Sequence, residues 1–246
     1  MADYQFTEPG LAELYDLFNP GRGSDDFGFY LPLILAAGSV LDVGCGTGEL
    51  LDLARRAGHA GRLCGLDPAD GMLRQARRRP GIEWVHGDAA SAAWDREFDL
   101  AVMTGHAFQV LVGDDEIRAS LAAIRAALTP DGRFAFETRN PPARAWQDWT
   151  PDRAVEVMGP AGAVVRMAHR VEAPFDGRTV SFVTTYTSPA WDGSQISRST
   201  LRFRGAGSLA RFLSAAGLVV EAHFGDWDRS PLTAASPEII TIARPA

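Results

Sequence analysis

The chain has 246 residues, 46% hydrophobic and 22% charged, enough for one large globular domain or a core domain with an insert. Its net charge of -7 argues against nucleic acid as a substrate, because phosphate backbones select basic surfaces. No apolar run approaches a membrane span, and the start, MADYQFTEPG, has neither a basic cluster nor an apolar signal core.

Two helices are predicted before residue 39. The first covers 11–18, with Leu11, Leu14, Tyr15 and Phe18 at helical spacing. The second covers 27–37, and the linker between them, NPGRGSDD, is rich in turn formers. From Ser39 to Arg139 strand and helix patterns alternate, which implies a parallel sheet with helical crossovers. Strands are predicted at 40–42, 62–67, 82–89, 98–106 and 133–138, and helices at 50–57 and 114–128. The last helix starts on acids and ends before Pro130-Asp131-Gly132. Arg77, Arg78 and Arg79 are expected to be a solvated helix end. Alternating patterns at 164–171, 179–187 and 196–204 then break the βα order. Asp176-Gly177 and Asp192-Gly193 sit at their joints, so a meander of about three antiparallel strands is expected. A helix over 208–216, closed by Gly217, and strands at 218–224 and 238–243 complete the chain. The expected division is 1–38, 39–150, 151–205 and 206–246.

The most informative run is residues 40–51, VLDVGCGTGELL. A strand ends in Asp42, three glycines alternate, and a helix follows, a junction that brings bare backbone close to a ligand. Gly46-Thr47-Gly48 closes too early for a dinucleotide fingerprint, and Glu49 stands where a P-loop needs Lys. Asp67 ends the second strand about 20 residues past the glycines, where nucleotide folds place a ribose-binding carboxylate. Asp88 ends the third, and Asp99 opens the fourth. Each acid alone reads equally well as a turn or cap residue; three in register fit one extended ligand.

This run closely resembles the first motif of class I S-adenosylmethionine (SAM)-dependent methyltransferases, and the run LTPDGRFAFE resembles their later turn and strand. The resemblance implies an α/β fold: a Rossmann-like, seven-stranded, mostly parallel sheet with its last strand antiparallel and helices on both faces. It implies SAM as cofactor, S-adenosylhomocysteine (SAH) as product, and a site formed by Asp42, Gly44, Cys45, Gly46, Gly48, Asp67, Pro68, Met72, Gly87, Asp88, Ala89 and Thr104. It also implies that residues 1–38 fold over the SAM pocket as a lid; the alternative is a helix packed on the sheet edge.

A sulfonium methyl is already activated, so the enzyme has mainly to place a nucleophile in line and exclude water. His106 is the candidate catalytic residue, as a proton acceptor, or else it only shapes the pocket. Tyr15, His106, Gln109 and Arg139 are candidate substrate residues. Arg139 either grips a carboxylate or pairs internally with Glu137 or a loop acid. Trp146, Trp149 and Trp191 either line an apolar pocket or seal the insert onto the core. The two cysteines, Cys45 and Cys64, and the five histidines have no metal-ligand spacing, so no metal is expected and a reduced cytoplasmic setting is. The expected activity is methylation of a small-molecule N or O acceptor by a monomer or homodimer. The alternatives are a non-methylating SAM enzyme, such as a cyclase or decarboxylase, and a non-catalytic SAM- or SAH-binding regulator.

Overall fold

The computed structural model describes residues 2–21, 23–91, 93–173 and 175–246; Arg22, in the linker 19–26, falls outside them. Strands β1 (Ser39–Val43), β2 (Arg62–Asp67), β3 (Glu83–His86), β4 (Phe98–Met103) and β5 (Leu128–Arg139) run parallel. With β10 (Leu218–Phe224) and β11 (Glu238–Pro245) they form one seven-stranded sheet in the order β10-β11-β5-β4-β1-β2-β3. β11 is antiparallel to both of its neighbours. Strand order reverses between β1 and β4, and the crevice at the C-terminal ends of those strands is where open α/β sheets bind ligands.

Helices cover both faces. On one, Phe29, Tyr30 and Ile34 of α3 (Asp25–Ala36) and Leu50, Leu51 and Ala54 of α4 (Glu49–Arg56) pack on Val40, Leu63, Val102 and Ile240. On the other, Ile117, Leu121 and Ile124 of α6 (Asp114–Ala127) and Leu209 and Leu213 of α7 (Ala206–Ala215) pack on Leu41, Ala101, Phe134 and Phe136. α5 (Asp70–Ala76) follows β2. Acids at 114–116 begin α6, where they complement the helix dipole, and Glu116 reaches back to the Gly113 amide.

β3 and β4 stop at His86 and Met103, short of the expected 89 and 106, and two further differences have a visible cause. The fifth strand starts at Leu128, not at 133, and the pairing with β4 slips between Phe98 and Leu100. Gly132 is the reason: a Cβ there would lie 2.9 Å from the Phe98 carbonyl, so only glycine lets Pro130-Asp131-Gly132 bulge within the ladder rather than break it. The insert has four strands, not three: β6 (Val155–Met158), β7 (Val164–Val171), β8 (Thr179–Thr187) and β9 (Gln195–Arg202). β6 is an edge strand whose Val155, Glu156 and Met158 are exposed, so it leaves no alternating signal. On β8, Val180, Phe182, Thr184 and Tyr186 are all buried, as the alternation implies.

The N-terminal segment divides. α3 belongs to the sheet's core. α1 (Tyr4–Thr7) and α2 (Pro9–Phe18) lie between the insert and α5. Leu11 and Leu14 pack on Val165, Met167 and Tyr186, while the Tyr186 hydroxyl donates to Gln5 and Ser197 accepts the Gln5 amide at 3.1 Å.

Candidate active site

The glycine loop sits at the end of β1. Gly44, Gly46 and Gly48 have φ of 77°, 55° and 76°, a region L side chains rarely adopt. Their surroundings differ. A Cβ on Gly48 would strike the Trp84 ring at 2.2 Å, whereas around Gly46 nothing lies within 4 Å. The outer two are close packed and the middle one faces open space.

Beneath the loop, Asp42 is 1% exposed and its Oδ1 has no hydrogen-bond partner. Burial, with Asp67 and Glu137 nearby, pushes its pKa up to about 8. An enclosed carboxylate with an orphaned oxygen is costly unless a ligand donates to it. Asp67, also buried, accepts from the Gly46 amide at 2.8 Å and the Ala69 amide at 2.8 Å, so it braces the loop from below. Burial raises its pKa despite those bonds. Pro68 is exposed and Met72 buried against Ala12 and Ala69. The Gly87 amide donates to the Asp67 carbonyl at 3.1 Å. Asp88 is exposed and accepts from the Ser91 amide at 2.9 Å, ahead of buried Ala89. Burial pushes the Cys45 thiol well above its ordinary value. Asp99, by contrast, lies at the N-terminal end of β4, bonded to Ser39, away from this crevice.

Thr104, Gly105 and His106 turn the chain out of β4, with φ of 65° at Gly105 and 60° at His106. A histidine in this region is uncommon. Glu137 holds it there, accepting the His106 amide at 2.6 Å and the buried Tyr30 hydroxyl on its other oxygen. The ring's Nε2 lies 3.0 Å from both oxygens of Glu238, on β11. A carboxylate accepts from Nε2–H, which leaves Nδ1 as the ring's acceptor.

Arg139 ends β5 partly buried; it forms no ion pair with Glu137. Its Nη1 donates to Gln109 Oε1 at 3.1 Å, and the Trp149 ring covers it at 5.4 Å. Gln109 is fully buried and donates to the Arg202 carbonyl. Tyr15 projects from α2, its hydroxyl 4.0 Å from the position of a Cβ on Gly105; burial and neighbouring acids push its pKa up to about 12. Trp146 packs on Phe175 and Phe203, Trp149 on Phe182, and Trp191 joins the cluster under α2.

Two contributors lack a sequence signal. Glu238 is 132 residues from His106. Arg79 is no solvated helix end: it bonds Asp16 on α2 at 2.7 Å, Asp52 on α4 at 3.0 Å and the Thr47 carbonyl of the glycine loop at 3.0 Å. Thr47 also donates to Asp16. This latch ties α2 down beside the loop.

Residues 40–132 match a family model described as a methyltransferase domain. Over those residues the chain carries a methyltransferase domain. Around that domain, it is 37% identical over 103 residues to a 2-phytyl-1,4-naphtoquinone methyltransferase of Thermosynechococcus vestitus, covering 40% of this chain and 44% of that one. It is 29% identical over 192 residues to the ubiquinone/menaquinone biosynthesis C-methyltransferase UbiE of Desulfotalea psychrophila, covering 76% and 68%. The chain spans about half the length of the phytyl-naphtoquinone methyltransferases it matches. Among solved structures, SAM-bound CalS10, an amino pentose methyltransferase from Micromonospora echinaspora, is 25% identical, with a TM-score of 0.69 over 95% of this chain and 97% of that one. The CcbJ methyltransferase from Streptomyces caelestis shares the fold, with 22% identity and a TM-score of 0.76 over 98% and 99%. The methyltransferase domain's own geometry fits SAM: the orphaned Asp42 oxygen calls for a donor, and the open face of Gly46 leaves room for one.

Proposed function

We propose that the protein transfers a methyl group from SAM to a nitrogen or oxygen atom of a small molecule. The observation that carries this reading is the orphaned, enclosed Asp42 carboxylate under a glycine loop with one open face. Asp42 would take the methionine amine beside Gly44 and Gly46, Asp67 the ribose and Asp88 the adenine amine, with Cys45, Gly48, Pro68, Met72, Gly87, Ala89 and Thr104 as walls. SAM supplies an electrophilic methyl when bound. The chain's residues supply place and proton transfer. α2 brings Tyr15 over the turn at Gly105 and screens the site from water. His106, oriented by Glu238 through Nε2, would receive the acceptor's proton on Nδ1.

Sugar and quinone methyltransferases among the relatives support a small-molecule acceptor. No described helix is long and apolar enough to cross a membrane, and no described residues form a metal-binding group. A cytoplasmic monomer or homodimer acting without nucleic acid is part of the same reading. The test is SAH formation from SAM in the presence of panels of small amines, phenols and sugars. SAM binding with no SAH above the acceptor-free rate across such panels would favour a regulator.

A further inference from the structure

We propose that Arg139 and Trp149 form a subsite for an anionic group, a carboxylate or a phosphate, carried by the methyl acceptor. This rests on the methyltransferase reading and narrows its substrate class.

Arg139 faces Glu238 directly across the β5–β11 ladder. Opposite charges in such a position ordinarily pair. Here they do not: among the described residues no ion pair within 4 Å forms at Arg139, and Glu238 instead turns both oxygens to His106. Glu137, the next acid, gives its two oxygens to Tyr30 and the His106 amide. Among the described residues, the guanidinium keeps one hydrogen bond, to Gln109 Oε1. That oxygen also meets the Arg139 amide at 3.3 Å, and the Gln109 side chain is anchored by the Arg202 carbonyl. The Trp149 ring, itself seated on Phe182, lies over the guanidinium.

The cation is therefore fixed by its surroundings, with acids near it but, among the described residues, none bonded to it. A guanidinium clamped in one orientation loses little further freedom on binding. Its remaining N–H groups form a fork that matches carboxylate or phosphate oxygens. His169 stays neutral beside it, its basicity lowered by burial and then by Arg139, so it does not compete for an anion with a second charge. Glu238, the cross-strand neighbour of Arg139, is the residue that binds His106 Nε2, which places the fork beside the His106–Glu238 pair. An acceptor gripped there by its acid would present its nucleophile towards His106. A neutral acceptor would leave the guanidinium unsatisfied.

The test needs no knowledge of the natural acceptor. Protein saturated with SAH is titrated with phenyl phosphate, phenylacetate and neutral benzyl alcohol at constant ionic strength, and binding is followed by saturation-transfer NMR. We expect one or both anions to bind, benzyl alcohol to bind at least tenfold more weakly, and Arg139→Met to weaken the anions at least tenfold. The ratio of phosphate to carboxylate affinity identifies which source the fork suits. Should Arg139→Met not fold, Trp149→Ala is expected to weaken the same probes. Equal binding of the neutral probe, absence of anion binding, or anion binding unchanged in the variant would overturn the proposal. Failure of the wild type to bind SAH would instead overturn the cofactor reading.

Discussion

At the residue scale, Asp42 couples ligand affinity to pH. Its carboxyl has a pKa near 3.8 when unfolded and about 8 in the folded, ligand-free protein. The folded state therefore binds the proton more tightly, and the acid's contribution to stability falls as pH rises from about 4 to about 8. Asp42→Asn should stabilise the ligand-free protein at pH 8 by about 1–3 kcal/mol, the scale of a buried unsatisfied group. The same variant should bind SAH more weakly. A melting curve at pH 8 that does not rise would show that the carboxylate is satisfied without ligand. Wild-type binding of a donor at Asp42 should release a proton near pH 7, visible as a buffer-dependent calorimetric enthalpy. His106→Ala should lower kcat by about 10²-fold, the ordinary scale of general-base catalysis. Glu238→Gln should lower kcat less and shift the pH profile, because it alters the ring's partner and keeps the ring. A loss confined to KM in both variants would assign the pair to shape. Asp42, Asp67 and His106 were legible because each stands at a strand end beside glycines. Glu238 was not, since its meaning comes only from the β5–β11 pairing that carries it to His106.

At the element scale, α1 and α2 are held by the insert on one side and by the Arg79 latch on the other. Arg79 links α2, the glycine loop and α4, and its side chain is 20% exposed, so solvent screens it only in part. Arg79→Met should speed SAH dissociation by about tenfold, or ~1.4 kcal/mol if association is unchanged. Hydrogen exchange should rise in α1 and α2 and stay unchanged in α6. Equal dissociation rates would mean that α2 does not cover the ligand. Strands were legible where burial imposes a period: 179–187 and 218–224 are found with the expected limits. β6 has one half-buried residue and no period. Arg79 looked like a charge run because its partner Asp16 lies 63 residues away.

At the scale of the whole molecule, the sheet order puts β1 and β4 side by side, so the glycine loop and the His106 turn share one crevice. β5 and β11 add Arg139 and Glu238 to the same edge of it. The cofactor half of the site is local in sequence, within residues 42–89, and this is why its outline could be drawn from the chain alone. The acceptor half is assembled from α2, β4, β5, β11 and the aromatic turn at Trp149, and only the folded molecule brings these together. The central claim is that the open face of Gly46 receives SAM. Calorimetric titration of SAH into wild type and Gly46→Val tests it most directly, with folding checked by circular dichroism. The account predicts micromolar binding by the wild type and none by the folded variant, whose β-branched side chain would occupy the ligand's space. Equal SAH affinity in the two proteins, or a wild type that binds NAD and not SAH, would contradict it.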